Sequence, residues 1–201
     1  MNTEAAPGLR ERKKQATRDA LSWAALRLAV ERGFANVLVE DIATAAGVSP
    51  RTFNNYFSSK QEAICSRMLD RTERAAAALR ARPADEPLWD ALIAAVTEPY
   101  QGSRVPDKAW VEGVRLVLAT PELWGEYRKM STVMERSLRD AVAERTGTDP
   151  ERDLYPHLVA TVVTAATGVA TDQWLKIDPP VPLEPLLRDA LRQIAAGLPT
   201  P

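Results

Sequence analysis

Along most of the chain apolar residues recur at every third or fourth position between Gly, Pro and Asp punctuation, and no stretch alternates with the period of two that a half-buried strand requires. The pattern predicts an all-α fold. A first helix is expected over residues 10–32, stopped by Gly33 in the left-handed conformation of a helix end, with Phe34 turning back onto the core. Val39, Ile42, Ala43 and Ala46 make one apolar stripe of a second helix, which Gly47 ends. A third starts at Ser49-Pro50, where the serine oxygen can accept from an orphaned amide and the proline loses nothing at the first helical position. A fourth, from Ser59 or Lys60 to about residue 82, is broken by Pro83 and Pro87. Further helices are expected over residues 86–100, 107–119, 121–146, 150–176 and 183–196.

Residues 39–60, VEDIATAAGVSPRTFNNYFSSK, place two short helices around a tight turn at Gly47, the spacing of a helix-turn-helix. At about 100° per residue, Phe53 and Phe57 fall only about 40° apart and form one buried edge. Measured from Phe53, Arg51 lies at about 160°, Asn55 at about 200° and Thr52 at about 260°, so these three face outward, with Asn54 on the flank at about 100°. Their chemistry suits base edges: Arg51 can bond guanine bidentately, Asn55 or Asn54 can pair with adenine, and the Thr52 methyl can meet that of thymine. Tyr56 and Lys60 sit where phosphates are expected, Lys60 near the favourable N-terminus of the fourth helix.

Charge sharpens this picture. Residues 1–82 carry 14 Lys+Arg against 9 Asp+Glu and the remainder 12 against 18, so a +5 head precedes a −6 body. A head that meets a polyanion fits that asymmetry. The opening residues 1–10 lack the apolar core of a secretory signal, and no uninterrupted apolar run approaches the roughly 20 residues of a membrane span. With Cys65 as the single cysteine no intrachain disulfide is available, and a cytoplasmic location without membrane attachment is expected. One His and one Cys cannot build a usual zinc site, there is no Gly-rich phosphate loop, and Gly47-Val48-Ser49-Pro50-Arg51 lacks the second glycine of a nucleophile elbow. No catalytic residue, cofactor or metal is expected.

Residues 10–69 resemble the DNA-binding domain of the TetR family of bacterial regulators. The resemblance rests on Glu31-Arg32-Gly33-Phe34, Asp41-Ile42-Ala43, Ala46-Gly47-Val48-Ser49, Arg51-Thr52-Phe53, Tyr56-Phe57 and Ser59-Lys60, and covers about a third of the chain. It implies a three-helix DNA-binding head over residues 10–58 behind a disordered arm (1–9), a connecting helix (59–82), and a larger helical ligand-binding and dimerisation domain (83–201). It further implies a homodimeric repressor with two recognition helices in successive major grooves of a palindromic operator, released when a ligand in the body shifts the fourth helix. By matched position Arg51, Thr52, Asn54 and Asn55 face bases, while Ser49, Tyr56 and Lys60 lie against the backbone. Two positions depart from the family pattern: Asn54, often aromatic, and Leu38, usually a threonine that caps the second helix and touches a phosphate. The basic run Arg10, Arg12, Lys13, Lys14, with Arg18 one turn on, either supplies phosphate contacts in its place, with Arg12, Lys13 and Arg18 as the candidates, or is a solvated helix start.

In the body, Trp89, Trp110, Trp124, Tyr127, Met130, Met134 and Trp174 either line a cavity for a small, largely apolar or aromatic inducer or form a packed aromatic core, and His157 is a polar contact or simply exposed. The small and β-branched residues of 159–171, with the stripe Leu183, Leu186, Leu187, Ala190, Leu191 and Ile194, suit close helix packing; the resemblance makes the last two helices the dimer interface, and an intramolecular core is the competing reading. A ligand-independent architectural DNA-binding protein is the alternative function, and an enzyme a remoter one.

Overall fold

In the computed structural model residues 8–101 and 108–200 are described, apart from the side chains of Leu69 and Met134. Among them all regular structure is helical: α1 (Leu9–Arg32), α2 (Val39–Ala45), α3 (Pro50–Asn54), α4 (Lys60–Ala81), α5 (Leu88–Thr97), α6 (Lys108–Ala119), α7 (Pro121–Thr146), α8 (Leu154–Trp174) and α9 (Glu184–Ala195), with 3-10 turns at Phe34–Asn36 and Glu98–Tyr100. Residues 1–7, most of the expected disordered arm, lie outside the described residues, and Leu9 is already helical.

Two compact units emerge. The first joins residues up to 67 with 112–127, and the second joins 68–111 with the chain from 128 onward. The end of α6 and the start of α7 belong to the first unit, and α4 contributes residues to both.

The first unit is built on α1, which packs on α2, as α2 does on α3. Leu21, Ala25, Ile42, Ala43, Phe53 and Ile64 are fully buried there, each large side chain contributing about 1.5–3 kcal/mol by leaving water. A buried Ser22–Ser66 hydroxyl pair, 2.9 Å apart, joins α1 to α4. From α7, fully buried Leu123 presents its carbonyl to the Cys65 thiol at 3.5 Å. Burial, reinforced by the charge of Glu126, pushes that thiol up to about 12, so it is no nucleophile at neutral pH. Gly113 is where α6 comes against α1: a Cβ there would lie 2.7 Å from Leu26 Cδ1.

Gly33 has the positive φ foreseen, +79°, but an extended ψ of 140°, so the chain leaves α1 directly into the Phe34–Asn36 turn instead of closing a left-handed cap. At Gly47, φ +70° lets the chain reverse between α2 and α3. Ser49 Oγ accepts the Thr52 amide at 3.1 Å with Pro50 at the first helical position, as the start signal requires. At Leu38 only half a capping box exists, because the Leu38 amide donates to Asp41 at 3.1 Å but leucine has no acceptor to return.

In the second unit α9 packs on α8 and α5 through fully buried Leu187 and Leu191. Thr97 Oγ1, buried in α5, donates to the Ile93 carbonyl at 2.7 Å and accepts from Arg188 of α9 at 3.1 Å. Arg145 clasps the 82–86 turn by donating to the carbonyls of Arg82, Pro83 and Glu86. Two helices are shorter than expected. α5 stops at Thr97 because Pro99 forces the next turn into 3-10 geometry. α8 starts at Leu154, not near 150, because the Asp149 carboxylate accepts the Glu151 amide and holds a turn first.

By length and composition α8 could cross a membrane, which the search for an uninterrupted apolar run overlooked. Its Val159, Ala160, Val163, Ala166, Ala170 and Trp174 are instead buried in the unit, where α8 packs on α9.

Candidate nucleic-acid interface

The recognition segment folds as its periodicity predicts. Phe53 and Phe57 are buried with ring centroids 5.8 Å apart, and although α3 ends at Asn54, the amides of Tyr56 and Phe57 still bond back to the Phe53 carbonyl. Arg51, Asn54 and Asn55 are exposed on the other side, and Thr52 is half-buried.

Beside this helix lies a groove of about 410 Å³ lined by Arg10, Lys13, Lys14 and Thr17 of α1 and by Thr52, Asn55 and Tyr56. Residues 10, 13, 14 and 17 stand on one face of a helix, so three cations flank two of the base-reading candidates. Of the residues assigned from sequence, the groove unites Lys13, Thr52, Asn55 and Tyr56. It also holds Arg10 and Lys14 of the basic run and adds Thr17, which the i, i+3, i+4, i+7 spacing could have singled out. Arg12 does not line it: it sits about 160° round α1 from both Arg10 and Lys14.

Two expected phosphate ligands are engaged inside the head. Arg18 donates to the Tyr56 carbonyl at 3.4 Å, and its guanidinium lies 4.6 Å from the Phe57 ring centroid, bracing the end of the recognition segment. Lys60 donates to the carbonyls of Phe34 and Val37 at 3.0 and 2.8 Å and stands 4.5 Å over the Phe34 ring. Ser49 Oγ is occupied as the α3 cap. Lys60→Met should therefore lower unfolding stability by about 2 kcal/mol in urea titrations while leaving the salt dependence of DNA binding nearly unchanged. A salt slope reduced by about one with stability intact would instead identify Lys60 as a phosphate ligand.

The residues expected to hold an inducer are divided between the two units. Trp124 is exposed and stacked on Tyr127 at 5.4 Å in the first unit. Trp89, Trp110 and Met130 are half-buried in the second, and the side chain of Met134 lies outside the described residues. Trp174 is a core residue, buried, with its indole N–H on the Val181 carbonyl at 2.6 Å. His157 is exposed near the other end of α8, and 17 residues of helix put about 25 Å between the two, too far for one small ligand. Among the described residues no group of His, Cys, Asp and Glu could hold a metal ion.

Residues 23–63 match the family described as bacterial regulatory proteins, tetR family, and residues 86–199 match the MftR C-terminal domain. The chain is 36% identical over 179 residues to the HTH-type transcriptional regulator TcmR of Streptomyces glaucescens, covering 86% of this chain and 79% of that protein. It is 30% identical over 151 residues to the HTH-type transcriptional regulator EthR of Mycobacterium tuberculosis, covering 72% and 68% respectively. Among solved structures, the fatty acid degradation regulator FadR from Bacillus halodurans shares the fold with a TM-score of 0.61 at 18% identity, over 98% of this chain and all of that one. These relatives are regulators and not enzymes. The protein belongs to the TetR family of bacterial transcriptional regulators, with an N-terminal helix-turn-helix DNA-binding domain and an all-helical C-terminal domain of the MftR type.

Proposed function

We propose that the protein is a cytoplasmic, dimeric repressor that binds a palindromic operator through α3 and the adjoining basic groove and is released by a small, largely apolar or aromatic ligand. The observation that carries the reading is the groove itself, which sets Arg10, Lys13 and Lys14 beside Thr52, Asn55 and Tyr56. In this reading the cations take the phosphates on either side of a major groove while Arg51, Thr52 and Asn55 read base edges, with Asn54 at the flank.

Dimerisation is supported by the outward side of α8, where Leu154 (70% exposed), Tyr155, Leu158 and Val169 (67% exposed) form an apolar stripe opposite the buried one. A second copy of that stripe across a two-fold axis would bury it, with half-buried Leu186, Ala190 and Ile194 of α9 alongside. Half-buried Trp89, Trp110 and Met130 in the second unit support an effector site there. The unbroken course of α4 through both units supports its role as the lever.

Selection of fragments of the source genome bound by the full-length protein tests the proposal. An inverted repeat with half-sites in successive major grooves is the expected enrichment, and recovery of random fragments would remove operator recognition from the account. On the selected site, Arg51→Ala should cost about 1–3 kcal/mol and relax the preference at one base per half-site, read by competition among single-base variants.

A further inference from the structure

The guanidinium of Arg71 on α4 lies 3.9 Å from the ring centroid of Trp110 in the first turn of α6 and 4.7 Å from that of Tyr100. Its guanidinium thus stands against two rings, and all three residues belong to the second unit. Other arginines of that unit meet carboxylates: Arg80 meets Glu144, Arg82 meets Glu86, Arg139 meets Asp140 and Glu151, and Arg188 meets Glu184. Arg71 does not. Among the described residues no carboxylate pairs with it, and the charged neighbour that bears on it is Arg74, of like sign.

Burial works against the Arg71 charge and raises the Tyr100 phenol above its ordinary range, so the phenol stays protonated. A guanidinium has only donors, and a protonated phenol can donate its O–H as well. Two adjoining groups thus offer donors and positive charge against an aromatic wall, and among the described residues no carboxylate meets them.

We infer that Arg71 and Tyr100 form the anion-recognising end of the effector site, and that the effector is an organic acid whose carboxylate meets them while its apolar body lies against Trp110. The inference rests on the ligand-responsive reading above and adds the chemical class of the ligand. A carboxylate there would make charge-assisted bonds in a desolvated setting, where discrimination against a neutral analogue is large.

Isothermal titration calorimetry of the full-length protein with two matched pairs, 2-naphthoate against 2-naphthamide and octanoate against octanamide, tests it. At least one acid should bind about tenfold or more tightly than its amide. Arg71→Met should lose that preference, and Tyr100→Phe should reduce it. Without ligand, Arg71→Met should melt at or above the temperature of the parent, because it removes a half-buried charge that no carboxylate among the described residues meets. An arginine that merely braces the aromatic pair would behave oppositely, lowering the melting temperature and leaving the acid-to-amide ratio unchanged, and that result would overturn the assignment. Amides binding as tightly as acids would also overturn it, yet leave a ligand-responsive regulator standing. If neither class binds while operator binding is intact, the assignment fails together with the reading beneath it.

Discussion

With Arg10, Lys13 and Lys14 replaced together by alanine, operator affinity at physiological salt is expected to fall on the order of a hundredfold, and the plot of log affinity against log salt to become shallower by about three. Each phosphate neutralised releases condensed counterions, contributing about 0.9 to the slope and roughly fivefold to affinity near 0.15 M salt. Three cations on one face of α1, lining a common groove with Thr52, Asn55 and Tyr56, should act as a set. Fluorescence anisotropy with operator and with unrelated duplex, over a series of salt concentrations, separates positioning from reading: the triple variant loses affinity for both, whereas Arg51→Ala loses it chiefly for the operator. Arg12→Ala is the internal control, since Arg12 points elsewhere on the same helix, and its effect should be several times smaller than that of Lys13→Ala. Equal effects at Arg12 and Lys13 would mean that the basic run acts as diffuse charge and the groove has no special part.

The second large effect is expected at Gly113. A methyl group there would sit 2.7 to 2.9 Å from three side-chain atoms of Leu26, itself 2% exposed and held in the core of α1. Since the branch point Cγ of buried Leu26 stands in the way as well as both its methyls, Gly113→Ala should destabilise the protein by about 1–3 kcal/mol through overpacking. Leu26→Ala alone should cost about 2–5 kcal/mol through the cavity it leaves. Combined, the two should cost less than their sum by about 1 kcal/mol or more, because each relieves the other's defect. Urea unfolding of the four proteins reads the cycle directly. Strict additivity would show that α6 and α1 can separate without penalty.

The recognition helix was legible because its signals are local. Ser49-Pro50, Gly47 and the Phe53–Phe57 pair each act within a few residues, and cap, turn and buried edge all appear where those residues place them. For Arg18 and Lys60 the intrachain partners were not legible, for the opposite reason. In sequence a cation near a recognition helix looks like a phosphate ligand, and only the fold shows the one turned onto the Tyr56 carbonyl and the other onto those of Phe34 and Val37. Arg71 was missed because its significance lies in what surrounds it, two rings from residues about 30 and 40 positions away and no acid among the described residues, which no local pattern announces. Pro99 could have been read: it stands inside the expected helix over 86–100, and a missing amide there was reason enough to end α5 early. Which side of the division at 67/68 a body helix would join was not open to periodicity, which reports that a face is apolar and not what covers it.

That residues 112–127 fold with the head changes what can be exchanged among regulators of this kind. A chimera that joins this protein's first 67 residues to a foreign body would carry the reading surface intact but would strip Leu26 of the glycine that lets a helix approach it and Cys65 of its carbonyl partner. The transferable module is therefore discontinuous in the gene: a graft intended to move operator specificity must bring the α6–α7 corner with it, and the two pieces must vary together whenever the head diverges.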